Sequence, residues 1–359
     1  MKKIGIVTID GDNNYGNRLQ NYALEQSIKS LGFEVETLVF PKKKEIRDIV
    51  RTVVKLRKKE FRIQRQKSAK MENLKSKGFK IFREKYLQNK EYKREDDFSG
   101  FDRFVTGSDQ VWNPSWRLQD DYWLRFVPKE KRFSYAASMA TTEVHQANIK
   151  KLPLYLMEMN EIAVREEESI EFIKNISNRD AKWVLDPTML LTKSDYEKLI
   201  DEQTDSQVDA SAPYILIYTL TGVQNNLKKK LIDYADKNKL KIRYIMGNEY
   251  HPEHMVYDPV EFIEAIQKAK FVVSDSFHCG VYSILMETDF ILFDRIDGEN
   301  MSSRITSLLS KLEIESQFYS DNKEIDEMLN VDFEKTSKKI ELLRSESKDY
   351  LNYILNKEI

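Results

Sequence analysis

Strand-like stretches recur along the chain: Lys3–Ile9, Phe33–Phe40, Phe101–Thr106, Phe133–Ser138, Trp183–Leu185, Tyr214–Thr219, Lys241–Met246, Phe271–Val273 and Phe290–Phe293, with Phe271–Val273 and Phe290–Phe293 apolar throughout. Runs without polar alternation are the pattern of strands buried on both faces of a parallel sheet. Between them, apolar residues fall at helical spacing. Leu19, Tyr22, Ala23, Gln26, Ile28 and Leu31 form one such series, stopped at Gly32. Leu152–Glu161, Gln224–Asn238, Val260–Ala269 and Val281–Glu287 form others, and Ser194-x-x-Glu197 reads as a capping box. Strands alternating with helices predict an α/β fold with right-handed crossovers. The polar stretch Asp201–Pro213 reads as a linker. An N-terminal Rossmann-like domain is therefore expected over 1–200 and a C-terminal one over 213–335. One charged amphipathic helix is expected at 336–359.

One stretch breaks this rhythm. Lys42–Lys70 carries thirteen Lys/Arg against three acids, with Ile46, Ile49, Val50, Val53, Val54 and Leu56 on one helical face. It opens a helical basic excursion over 42–98, in which Lys75–Leu87 is a further helix. A basic amphipathic helix suits an anionic membrane surface or an acidic partner. The plainer reading is a helix packed on its own domain and solvated by its cations. No nucleic-acid-reading motif accompanies it, so no nucleic-acid partner is expected.

Composition narrows the class. At 359 residues and 41% hydrophobic the chain can bury two cores, and its net charge of −1 hides the local asymmetry. No apolar run is long enough to span a membrane, and the single cysteine, Cys279, excludes an internal disulfide. These features predict a cytoplasmic protein. Glycine is scarce, with 11 residues, and neither G-x-G-x-x-G nor G-x-x-x-x-G-K-[ST] occurs. The usual dinucleotide and P-loop cradles are thus absent.

Candidate chemistry sits in the loops after the strands, where open α/β sheets bind ligands. Ser274-Asp-Ser-Phe-His278 offers two hydroxyls, Ser274 and Ser276, and one imidazole at a helix start. A helix start binds anions, and a histidine beside an anion can donate a proton. The same residues would also serve as a capped helix with a buried histidine. Asp10–Asn17 brings Asp12, Asn14, Tyr15 and Asn17, which could hold sugar hydroxyls or simply form a capped turn. Gly107–Asn113 packs Asp109, Gln110, Trp112 and Asn113 together. A flat ring beside directional polar groups is what a sugar site needs, although a core Trp at a helix start reads alike. Arg165 stands at a strand-to-helix junction, ahead of three glutamates, and Ser303-Arg304 opens a later helix. His251 and His254 flank a proline and read as loop histidines rather than metal ligands.

Seven of these pieces occur in the order of the polysaccharide pyruvyl transferase family, which the chain resembles over about residues 1–315. They are Asn14-Tyr-Gly-Asn17 with Leu19-Gln-x-Tyr-Ala-Leu24, Gly107-Ser-Asp-Gln-Val-Trp-Asn113, Ser134-Tyr-Ala-Ala-Ser138, Arg165-Glu-x-x-Ser169, Leu185-Asp-Pro-Thr188, Ser274–His278 and Ser302-Ser-Arg-Ile305. The resemblance implies two Rossmann-like domains facing a cleft, similar to GT-B glycosyltransferases. It also implies transfer of a pyruvyl group from phosphoenolpyruvate onto sugar hydroxyls, often as a ketal, in cell-surface polysaccharide biosynthesis. His278 would be the general acid, and Asp109 or Asp12 the base. Arg165 and Arg304 would bind the donor's two anionic groups from opposite domains, with Ser274, Ser276 and Ser303 also donor-binding and the C-terminal domain as the phosphoenolpyruvate side. Asn14, Tyr15, Asn17, Gln110, Trp112 and Asn113 would bind the acceptor, including a lipid-linked one, on the N-terminal side. Phosphoenolpyruvate is a co-substrate, and no cofactor or metal is expected. Two other functions fit the architecture: a sugar-nucleotide glycosyltransferase, and a non-catalytic glycan or membrane-surface binding protein.

Overall fold

The computed structural model describes residues 1–11, 13–41, 59–247, 253–296 and 302–358; of residues 59–68, 70, 302 and 303 it describes the backbone alone. Strands β1 (Lys3–Val7), β2 (Glu34–Val39), β3 (Asn89–Glu91), β4 (Arg103–Thr106) and β5 (Arg132–Ser134) form one parallel sheet in the order β3-β2-β1-β4-β5. Helix α1 (Tyr15–Ser30) is the crossover from β1 to β2. Ile4 sits opposite Val35 on one side and Arg103 on the other. The chain thus winds outward in both directions from β1. The carboxyl ends of β1 and β4 flank that switch point, where an open sheet leaves a crevice.

A two-stranded extension, β6 (Ala163–Val164) and β7 (Lys182–Trp183), runs in the same direction. It joins the first sheet through bridges Phe133–Glu161 and Ala137–Val164. Residues 202–213 then lead to a second parallel sheet. Its strands β8 (Tyr214–Tyr218), β9 (Lys241–Ile245), β10 (Phe271–Ser274) and β11 (Phe290–Leu292) lie in the order β11-β10-β8-β9. The second switch point is therefore between β8 and β10. All-apolar runs such as Tyr214–Tyr218 and Phe271–Val273 are buried at every position, as central strands covered on both faces must be.

The helices tie the sheets together. Tyr15, Leu19 and Ala23 of α1 share one core cluster with Tyr218, with Phe262 and Ile266 of α7 (Pro259–Gln267), and with Tyr282 of α8 (Phe277–Leu285). Counting from α1, the helices between are α2 (Lys59–Tyr86), α3 (Leu152–Met157), α4 (Glu167–Ser177), α5 (Lys193–Asp201) and α6 (Asn225–Asn238). Helix α9 (Ser302–Leu312) follows β11, and α10 (Phe333–Asn356) returns to the first sheet. There Leu351, Ile354 and Leu355 pack with Ile4, Ile6, Val105 and Phe133. The last helix is not a free tail but part of the first core.

Three expectations change. The capping box of α5 is Thr192 with Asp195, not Ser194 with Glu197, because the helix begins one residue before Ser194. Lys75–Leu87 is not a separate helix but the end of α2, which is continuous from Lys59. Gly78, within α2, permits this: a Cβ there would come 3.0 Å from the Cβ of Asp258, the cap of α7. The apolar stripe Ile46–Leu56 lies outside the described residues. Among the described residues no helix is long and apolar enough to cross a membrane.

Candidate active site

The loops at the carboxyl ends of the two sheets meet at one place. His278 enters from the second sheet, in the first turn of α8, and its ring lies over Gly16 in the first turn of α1. A Cβ on Gly16 would stand 2.1 Å from His278 Nδ1, so only glycine admits the imidazole here. Asn14 begins α1 as its cap, its Oδ1 accepting from the Asn17 amide at 3.2 Å. The Asn-Tyr-Gly-Asn motif therefore receives a histidine as well as starting a helix.

The far nitrogen, Nε2, is 3.6 Å from Asp186 Oδ2 and has no hydrogen-bond partner. Asp186 follows β7 in the Asp-Pro-Thr turn and is buried. It accepts from Arg165 Nη1 at 2.7 Å, Ser108 Oγ at 2.7 Å, Thr188 Oγ1 at 2.7 Å and the Thr188 amide at 3.0 Å. Burial acts to raise its carboxyl. The charges of His278 and Arg165 and the Ser108 hydroxyl outweigh that, and hold it well below the usual carboxylate range.

Arg165 is fully enclosed. Besides Asp186 it meets Glu166 Oε1 through Nε at 3.2 Å and Asp109 through Nη2 at 3.5 Å, and its guanidinium covers the Phe277 ring at 4.7 Å. Burial works against its charge, but Asp186, Glu166 and Asp109 prevail and raise it above the ordinary arginine value. Arg304 of α9 is also buried. Burial and the nearby Arg165 cation push it down to about 10. With the Gln110 amide oriented oxygen-first, that oxygen accepts from both Arg304 Nη atoms at 3.2 Å. Two guanidiniums from separate elements thus converge where burial penalises both, an arrangement that an anionic ligand would relieve.

Of the expected residues, the structure links His278 to Arg165 through Asp186, Arg165 to Asp109, and Gln110 to Arg304, while Asn17 and Ser276 flank Gly16 and His278 at the starts of α1 and α8. Ser276 caps α8 by position, yet its hydroxyl makes no cap bond. Asn113 lies three residues on from Gln110, its Oδ1 accepting from the Ser115 hydroxyl at 2.6 Å. Three residues are not available as expected. Tyr15 is buried, stacked on Phe262 at 4.2 Å, with its hydroxyl donating to the Tyr257 carbonyl. Trp112 is stacked on Trp123 at 4.4 Å in the first core, and donates to the Tyr122 carbonyl. Ser274 is fully buried; its hydroxyl donates to the Tyr218 carbonyl and accepts from the Ser276 amide. Neither ring can receive a sugar face, and Ser274 shapes the loop instead of touching a ligand. Asp12 lies outside the described residues, as does the Ser303 side chain. Sequence reasoning missed the role of Asp186, although its Leu-Asp-Pro-Thr context was visible, and that of Gly16. Among the described residues no cluster could hold a metal ion.

A family model described as polysaccharide pyruvyl transferase matches residues 14–297. No curated protein matches the chain. Among solved structures, the fold is similar to Methanocaldococcus jannaschii UDP-GlcNAc 2-epimerase in complex with UDP-GlcNAc and UDP, with a TM-score of 0.53, 10% identity, and coverage of 99% of this chain and 100% of that one. It is similar also to Staphylococcus aureus MnaA with UDP, with a TM-score of 0.51, 12% identity, and coverage of 100% and 99%. At such identities the likeness shows the fold alone, a GT-B arrangement of two parallel α/β sheets with a long C-terminal helix.

Proposed function

Since the chain belongs to the polysaccharide pyruvyl transferase family, we propose that it transfers the enolpyruvyl-derived group of phosphoenolpyruvate onto two hydroxyls of a sugar, closing a ketal. The observation that carries this reading is the buried convergence of His278 with Arg165 and Arg304. Phosphoenolpyruvate has a carboxylate and a phosphate, to which Arg165 can offer Nη2, its nitrogen without a hydrogen bond, and Arg304 its guanidinium charge. Its C2 becomes electrophilic only once C3 takes a proton. His278, beside the Asp186 anion at 3.6 Å, is the group placed to give that proton. A sugar hydroxyl then bonds to C2 and loses its proton to a base. The C2–O bond to phosphate breaks, and the second hydroxyl closes the ring. Ser276, Gln110, Asn17 and Asn113 are the polar groups available to orient the substrates. The acceptor would be a cell-surface polysaccharide precursor met on the cytoplasmic side.

The test is incubation with phosphoenolpyruvate and a panel of lipid-linked and nucleotide-linked sugars. A product heavier by one pyruvyl group, with inorganic phosphate released in equal amount, supports the reading. Release of a nucleotide from a sugar nucleotide, with phosphoenolpyruvate untouched, would point to glycosyl transfer instead.

A further inference from the structure

Four carboxylates at or near the candidate site residues are already hydrogen-bonded or ion-paired. Asp186 accepts from Arg165, Ser108 and Thr188. Asp275 accepts from the Leu220 amide at 2.7 Å and from the Thr221 amide and hydroxyl at 3.0 and 2.8 Å, and so shapes the loop after β8. Asp10 pairs with Arg18. Asp109 sits 3.5 Å from Arg165, held on a backbone with φ of 67°.

Glu166 differs. It occupies the cap position of α4 but caps nothing, because its side chain turns inward. Oε1 is fixed by the Ser138 hydroxyl and by Arg165 Nε at 3.2 Å. Oε2 is buried and has no partner. Buried acceptors are normally satisfied, so an orphaned carboxylate oxygen calls for a donor that arrives with a ligand. The other orphaned atoms among the candidate site residues sort by polarity. Arg165 Nη2 and His278 Nε2 can donate, whereas Asn17 Oδ1 can only accept. The first pair suits an anionic donor substrate; Glu166 Oε2 and Asn17 Oδ1 suit two O–H groups.

We infer that Glu166 is the catalytic base that takes the proton of the first acceptor hydroxyl, a role that rests on the pyruvyl-transfer reading. The protons then balance over a full cycle. His278 gives its proton to C3 as the acceptor oxygen bonds to C2, and that hydroxyl proton passes to Glu166 Oε2. Phosphate departs with the electron pair of the C2–O bond and receives the proton from Glu166. The second hydroxyl bonds to C2 and returns its proton to His278. One methyl group, one ketal and one inorganic phosphate result, and both side chains regain their starting states.

The test compares the wild type with Glu166→Gln and Glu166→Ala, reading phosphate release, donor affinity by calorimetry and melting temperature. Glu166→Gln should lower turnover by roughly 10²–10⁴-fold, with phosphoenolpyruvate binding retained. Added formate should restore part of the turnover of Glu166→Ala in proportion to its concentration. Near wild-type turnover in Glu166→Gln overturns the assignment. So does a parallel loss of donor affinity and melting temperature with no formate response, which marks a structural role. A wild type that releases no phosphate from phosphoenolpyruvate with any sugar refutes the underlying reading instead, so the two failures are separable.

Discussion

A methyl group on Gly16 would collide with the His278 ring, at 2.1 Å from Nδ1. Position 16 is helical, so alanine there would otherwise favour the fold. The steric and helical effects oppose each other, and at 2.1 Å the clash wins, so the ring must give way. Gly16→Ala is therefore expected to fold while moving the imidazole away from Asp186. Turnover should fall by roughly 10²-fold, the scale of a misplaced catalytic group. Unchanged turnover, measured at saturating donor, would show that the ring position does not matter. Cys279, next in sequence to His278, is no rival nucleophile: burial pushes its thiol up to about 12. Arg165 cannot be probed by simple truncation. Its loss would leave Asp186 buried without its cation, a change that costs about 3–5 kcal/mol of stability in comparable sites.

At the scale of elements, α2 is joined to the second sheet by one buried lysine. Lys75 Nζ donates to the Met246 carbonyl at 3.0 Å and lies 4.8 Å from the Tyr15 ring centre, and burial lowers it to about 8. In the unfolded chain the same group titrates at roughly 10.4. Between these values the unfolded chain binds a proton that the folded chain does not, so stability rises with pH across that window. Lys75→Met should remove this rise, as read by urea unfolding at either end of the window; an identical pH dependence in both proteins would contradict the assignment. The returning helix α10 offers a second check. Leu351 is fully buried against the first sheet, so Leu351→Ala should cost about 2–5 kcal/mol in the same assay. A loss below roughly 1 kcal/mol would mean that α10 is dispensable to that core.

These elements also mark what could be read from sequence. The apolar runs and helical spacings marked the central strands and most helices, because burial on both faces leaves a local imprint, whereas the short polar β3 (Asn89–Glu91) left none. His278 and Arg165 could be singled out because each sits between a strand and a helix start, and Arg304 because it lies in the Ser302-Ser-Arg-Ile305 motif. Tyr15 and Trp112 misled: an aromatic beside Asn and Asp looks alike whether it faces a sugar or a core, and only the packing partners Phe262 and Trp123 decide. The Gly16–His278 contact joins residues far apart in the chain, so no local pattern could reveal it.

For the whole molecule, the two sheets share a core through α1, and the site is assembled from both. The excess of cations in Lys42–Lys70 adds a further proposal, peripheral contact with an anionic membrane face where a lipid-linked acceptor would lie. Each engaged cation contributes about 1 kcal/mol, screened by salt. Co-sedimentation should therefore occur with anionic vesicles at low salt and fade at high salt; equal, negligible pelleting with anionic and neutral vesicles would leave the cations as solvation alone. The central claim, proton transfer from His278 to C3 coupled to phosphate loss, has a more direct test. The reaction would be run in D2O with phosphoenolpyruvate and an accepting sugar, and the product methyl group examined by NMR. The account predicts one deuterium in that methyl for each phosphate released, and loss of both signals together in His278→Ala. Phosphate release with an unlabelled product, or a His278→Ala variant that keeps both signals, would contradict it.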